Sequence, residues 1–191
     1  MKKQLLVAVL FTLVTTVIFG IVYPLVVAGI ARMAFPEQAD GSLIVKNGQV
    51  VGSRLIGQAF TGDKYFHSRP SAAGAGYDPL ASGGSNLGPT NRALVSRVQD
   101  DVAKLQQERP GVPVPTDLVT TSGSGLDPDI SPANAEFQLP RVAKARGMSE
   151  EALRQILQRH TQGRQYGIFG EPRVNVLELN LDLDGISVTK P

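Results

Sequence analysis

The chain has 191 residues, with 19 basic and 17 acidic side chains and a formal net charge of +2. Lys2, Lys3 and Arg32 flank one apolar run, and all acidic residues follow it, so the rest of the chain carries 16 basic against 17 acidic residues; that is no footprint for nucleic acid. Cysteine and tryptophan are absent, which excludes disulfide staples, thiolate metal sites and a tryptophan platform for sugars.

From Leu5 to Ala31 the sequence reads LLVAVLFTLVTTVIFGIVYPLVVAGIA, 27 residues without a charge. As a helix this rises about 40 Å, enough to cross a hydrocarbon core of roughly 30 Å with some tilt. A helix buried in a soluble core is shorter than this and rarely apolar on every face. A cleaved secretory signal has an apolar region of roughly 7–15 residues and a small-x-small site. This run is longer, and Arg32 and Met33 spoil such a site. The reading is an uncleaved single-pass anchor, residues 1–34, followed by one domain, residues 35–191. Lys2 and Lys3 precede the span, while Arg32 is followed by Glu37 and Asp40. By the positive-inside rule the N-terminus is cytoplasmic and the domain extracytoplasmic, in the periplasm beside a bacterial inner membrane.

The span carries more than an anchor needs. Ala8, Thr12, Thr16, Gly20, Pro24 and Ala28 recur every fourth residue, and small residues at that spacing let a second helix approach closely. The row drifts by roughly 40° per step, so only its centre faces one partner. Thr12, Thr16, Gly20 and Pro24 are the candidate partner-binding residues. Pro24 withdraws a backbone donor and is expected to kink the helix near Gly20.

Beyond the span, Asn47-Gly48 between Leu43–Lys46 and Gln49–Val51 predicts a hairpin, since both turn residues tolerate positive φ. Ser53 to Phe60 is expected to continue the sheet. Gly62 to Thr90 is rich in Gly, Ser, Ala, Pro and Asn and has no periodicity, the mark of a functional loop or a linker. Tyr65, Phe66 and Tyr77 are placed to pin it, with partner subunits or the domain's own sheet expected to order it. Thr90 is expected to cap a helix from Asn91 to Glu108 that buries Leu94, Val98, Val102 and Leu105. Pro110, Pro113 and Pro115 end it. A second Gly/Ser loop, Ser122 to Pro128, follows. Ser131-Pro132 starts a helix to Arg146, broken or kinked at Pro140 and stopped by Gly147. Ser149 caps another, with Glu150 and Glu151 first and Arg159 and His160 last, as the helix dipole favours. Leu153, Ile156 and Leu157 form its buried face. Leu177, Leu179, Leu181 and Leu183 alternate with Glu178, Asn180, Asp182 and Asp184, which predicts a half-wet strand over 173–184. The fold class is α+β.

Little in the chain looks like catalysis. His67 and His160 are its only histidines, and no metal-ligand spacing accompanies them. There is no G-x-S-x-G elbow and no S-x-x-K sequence. No catalytic residue and no metal ligand is assigned. His160 suits a structural role at a helix end, and Asp127 and Asp129 around Pro128 suit a turn. The loops Ser82-Gly83-Gly84-Ser85-Asn86 and Ser122-Gly123-Ser124-Gly125 present N–H groups suited to a phosphate, without the lysine of a P-loop. Ser82, Gly83, Gly84, Ser85 and Asn86 are the candidate nucleotide- or partner-binding residues.

Four stretches taken together carry a resemblance: Tyr65-Phe-His-Ser-Arg-Pro-Ser71, Ser82 to Asn91, Asp117 to Pro128, and His160-Thr-Gln-Gly-Arg164 with Gly170 to Asn175. With one N-terminal span and this length, the whole chain resembles the C subunit (KdpC) of the bacterial Kdp potassium-transporting P-type ATPase. The resemblance implies a non-catalytic accessory subunit that stabilises the complex and acts as a catalytic chaperone, raising the ATP affinity of the ATPase subunit. It implies three partners: a channel-like potassium-binding subunit, the P-type ATPase subunit and a small helical peptide. ATP is the only cofactor implied. The phosphorylated Asp-Lys-Thr-Gly-Thr of such a pump is absent here, where Asp63-Lys64 continues as Tyr65-Phe66. An external domain does not meet cytoplasmic ATP, so a structural role near the potassium entrance ranks above direct ATP contact. Two alternatives are a structural subunit of another envelope complex, such as a pilin-like protein, and a tethered hydrolase. Leu10 and Thr15 replace the glycine and glutamate that a pilin start requires, and no nucleophile–base set is visible for a hydrolase.

Overall fold

In the computed structural model, residues 1–186 are described. The chain divides into two units, Met1–Leu43 and Ile44 onward.

The first unit is one helix and a short turn. Lys2–Ala34 is continuously helical, 33 residues with mean hydropathy 2.8 over its most apolar window and no part buried. It is long and apolar enough to cross a membrane. It consists of α1 (Lys2–Thr15), a π-helical stretch (Thr16–Val22) and α2 (Tyr23–Ala34). The expected lesion at Pro24 thus takes the form of a widened turn just before it. Pro24 offers no N–H to the Gly20 carbonyl and its ring crowds that oxygen, and a π turn re-registers the bonds around the gap. The helix ends where Pro36 forces Phe35 out of helical geometry, at φ −141°. A single turn, α3 (Pro36–Ala39), follows.

The predicted hairpin, β1 (Leu43–Lys46) and β2 (Gln49–Ser53), starts at the last residue of the first unit and otherwise belongs to the second. Asn47 and Gly48 both take positive φ, 51° and 77°. Residues 54–60 do not extend this sheet. There the chain runs hard against the second Gly/Ser loop: Gly57 N–H donates to Leu126 O at 2.8 Å, and a β-carbon on Gly57 would stand 2.6 Å from Asp127 O.

The helices are α4 (Arg92–Glu108), α5 (Pro132–Arg146), α6 (Glu150–His160) and α7 (Val176–Leu183). The strands β3 (Asp129–Ile130), β4 (Thr161–Gln162) and β5 (Arg173–Asn175) form an antiparallel sheet in the order β3-β5-β4. Asn91, not Thr90, caps α4, its side chain accepting from Ala93 N–H at 2.9 Å. The predicted face of α4 is only half-buried. Ser131 and Ser149 cap α5 and α6, and Gly147 closes α5 at φ 64°.

Pro140 does not break α5. A proline at this position orphans the carbonyl of Glu136, four residues back. Arg109 supplies the missing donor: its Nη1 lies 3.0 Å from Glu136 O and 3.0 Å from Phe137 O, and its guanidinium stacks over the Phe137 ring.

The predicted strand over 173–184 is a strand only to Asn175; the rest is α7. Read as a helix, its apolar residues fall on two faces. Val176, Leu179 and Leu183 pack with Phe66, Ile130, Leu139, Val142, Leu153 and Leu157 in the main core. Leu177 and Leu181 pack with Ile44 in a second cluster. A helix buried on two sides imitates alternation. Two of the polar residues between do not face water: Glu178 and Asn180 are 6% and 1% exposed.

Candidate functional site

The Tyr65–Ser71 stretch has no regular structure, so its backbone groups need side-chain partners. Buried amides provide them. Asn180 accepts from Phe66 N–H and donates to Phe66 O, both at 2.9 Å. Gln138 does the same for His67, at 2.8 and 2.9 Å, and also donates to Asn134 Oδ1 at 2.7 Å. Phe66, held this way, is fully buried. Arg141 reaches Asp63 O, Tyr65 O and Gln138 Oε1 at 2.8, 3.2 and 2.7 Å, with Glu108 Oε1 at 3.4 Å. His67 Nε2 lies 3.1 Å from Gly62 O, which can only accept, so that nitrogen carries the proton. Burial, and then the positive charge of Arg141, hold the His67 pKa below its ordinary value.

From Arg69 onward the chain zips to the second Gly/Ser loop. Arg69 pairs with Asp127 at 3.0 Å and donates to Thr120 O and Thr121 O at 3.4 and 3.3 Å. The Ser71 hydroxyl donates to Gly125 O at 2.6 Å and accepts from Ala73 and Tyr77 N–H. The Tyr77 hydroxyl donates to Arg69 O, and burial pushes its phenol pKa up. Gly125 must be glycine: its φ is 67°, and a β-carbon would lie 2.7 Å from both Ala73 N and Gly83 O. Asp117 locks this loop to α5, accepting from Ser131 N–H, Ser131 Oγ and Asn134 Nδ2 at 2.8, 3.0 and 3.0 Å. Asp127 also accepts from Asp129 N–H at 3.0 Å, the expected turn. The Asp129 carboxyl is raised, chiefly by burial and against the attraction of Arg173.

The long loop is therefore ordered by a second loop and by α5 and α7, rather than by a sheet. Three of the four stretches behind the resemblance meet here. The fourth forms β4, β5 and the turn between them. His160 ends α6 as expected, with Nε2 2.9 Å from Asp182 Oδ2.

The candidate residues of the first Gly/Ser loop fall as follows. Ser82 Oγ and Gly83 N–H both donate to Ser124 O, at 3.0 and 2.8 Å. A β-carbon on Gly84 would sit 3.2 Å from Gly123 O. Ser85 is half-buried. Asn86 takes φ 53°, and its exposed side chain makes no hydrogen bond among the described residues. Thr12, Thr16, Gly20 and Pro24 belong to the other unit and are all exposed along the apolar helix. Thr16 and Gly20 fall in the π stretch. There the wider turn reverses the drift of a four-residue spacing, which keeps the row nearer one face than a pure α-helix would.

Sequence reasoning missed the clamps: Arg69, Arg109, Asp117, Asn134, Gln138 and Asn180. One signal was available. Asn134 and Gln138 are spaced i, i+4 with apolar residues around them, and polar side chains on a helix face bound for the core need partners.

One apolar helix joined to an α+β domain, whose shared loops hold one another, defines a candidate membrane-anchored accessory domain. The family described as "K+-transporting ATPase, c chain" (KdpC) matches residues 5–185, and the chain belongs to this family. It is 63% identical to the potassium-transporting ATPase KdpC subunit of Koribacter versatilis (strain Ellin345), over 97% of this chain and 96% of that one. It is 56% identical to the KdpC subunit of Rhodopseudomonas palustris (strain BisB18), over 96% and 98%. It is 58% identical to that of Acidobacterium capsulatum, over 93% and 95%. The chain is thus an accessory subunit of a potassium pump.

Proposed function

We propose that this subunit stabilises the assembled pump and catalyses nothing itself, anchored in the bacterial inner membrane with its N-terminus in the cytoplasm and its domain in the periplasm. One observation carries the reading: the first Gly/Ser loop is tied to the second, with Ser82 Oγ and Gly83 N–H both donating to Ser124 O. That is how a scaffold is built. The flanking charges Lys2, Lys3 and Arg32 favour the external placement. The partners are the channel-like potassium-binding subunit, the P-type ATPase subunit and the small peptide subunit, met in the membrane through the row Thr12, Thr16, Gly20 and Pro24. Protease added to intact spheroplasts digests the region after Ala34 on this reading. Protection until lysis overturns the placement.

A second reading, the ATP-linked chaperone, is favoured by the unoccupied amide of Asn86. Asn86→Ala separates the roles. A turn role lowers the melting temperature, because alanine tolerates left-handed backbone less well than asparagine. A docking role weakens assembly at normal domain stability. A nucleotide role raises only the apparent KM for ATP of the assembled pump, and that outcome replaces the first reading with the second.

A further inference from the structure

Between β4 and β5 the chain leaves the domain and returns as a narrow hairpin. Every residue from Gly163 to Pro172 is exposed. Gln165 and Phe169 exchange both backbone hydrogen bonds, at 2.8 and 2.9 Å, around a turn in which Tyr166 and Gly167 take φ 52° and 73°. At its base Arg164 Nη2 donates to both carboxylate oxygens of Glu171, at 2.8 and 2.7 Å. The loop is held by its own ladder and ion pair, yet its tip presents Tyr166, Ile168 and Phe169 at 90%, 72% and 65% exposure. Three large apolar side chains on a pre-shaped turn are costly in water and cheap to bury, since little ordering remains to be done.

We propose that this hairpin is a plug, and that its tip seats in an uncharged apolar pocket on another subunit of the potassium-transporting ATPase. The proposal rests on the reading that this subunit stabilises the assembled pump, and adds a contact made by the domain to those made by the helix. Charge selects the occupant. The only charges from Gly163 to Pro172 are Arg164 and Glu171, which neutralise each other. A lipid-binding loop carries surplus Lys or Arg for anionic headgroups, and this one has none. Tyrosine and phenylalanine beside isoleucine are the composition of a desolvated protein anchor.

The test replaces Tyr166 with a photo-crosslinking benzophenone amino acid in the full chain, co-expressed with the rest of the pump in its native membrane. The expected product is a covalent adduct with another pump subunit. An adduct with lipid only, with a second copy of this chain, or with nothing overturns the plug. Tyr166→Ser and Phe169→Ser, each checked for an unchanged melting temperature, should lower recovery of the complex about tenfold. A variant that melts early is replaced by Ile168→Asn under the same criterion. Co-purification of the unsubstituted chain with the pump tests the docking reading separately. If that succeeds and the crosslink fails, only the plug is lost.

Discussion

His67 and Asn180 are the residues whose sequence context said least about their work. His67 lies in a stretch without periodicity, and its pKa is held down by burial and by Arg141. A base whose folded pKa is depressed binds fewer protons folded than unfolded, so stability falls as pH drops below the unfolded value of about 6.5. The loss levels off once pH passes below the folded pKa. Asp129, raised by burial, has the opposite sign and acts in the carboxylate range. Urea unfolding of the domain between pH 7 and 5 should therefore show falling stability, and His67→Gln should flatten that slope. An equal slope in the variant would assign the effect elsewhere. At Asn180 the structure and the alternating sequence pattern make opposite forecasts. On the wet face of a strand, replacement by leucine would move stability by no more than about 0.5 kcal/mol. Here Asn180 is buried and serves both backbone groups of Phe66. Asn180→Leu leaves a donor and an acceptor unsatisfied and should cost on the order of 2–4 kcal/mol, read from the shift in the urea midpoint.

At the scale of elements, what was legible followed local chemistry. The Asn47-Gly48 hairpin, the caps Ser131 and Ser149, and the stop at Gly147 are decided within a few residues, and they sit where the sequence places them. What was not legible depended on distant partners. Leucine at every second position reads as a strand until a second apolar surface, around Ile44, turns the same residues into a helix filled on two faces. Asn175 then starts that helix, accepting from Glu178 N–H at 3.0 Å and donating to Arg54 O at 2.9 Å. Pro140 reads as a break until Arg109, at the C-terminal end of α4 and 27 residues before Glu136, caps the Glu136 carbonyl that Pro140 strands. The interlocking of the two Gly/Ser loops was hidden for the same reason. Each loop alone advertises free N–H groups, and only their meeting shows Gly83 N–H donating to Ser124 O, with the Ser71 hydroxyl on Gly125 O beside it.

At the scale of the whole molecule, the apolar helix was the most legible part, because length and hydropathy alone define it. Its use was less so, since a four-residue row drifts in an α-helix and the π stretch that counters the drift is not written in any one residue. That stretch gives the clearest test of helix packing. Gly20 lies within it, and a β-carbon there would meet only Thr16 Cγ2, at 3.7 Å, an ordinary contact. The chain's own helix therefore tolerates a larger residue, and any loss from Gly20→Leu is a loss against a neighbouring helix. Gly29 is the control: it lies off the row, and a β-carbon there meets nothing within 4 Å. Both variants should insert into the membrane, since leucine is the more apolar residue. Gly20→Leu should weaken association with the multispan subunits by on the order of 1–2 kcal/mol, seen as lower recovery of the complex as detergent is raised, while Gly29→Leu leaves recovery unchanged. Equal recovery of both variants and the parent chain would remove the row from the interface, and equal losses would show that bulk anywhere on the span disturbs assembly, with no special part for the π stretch.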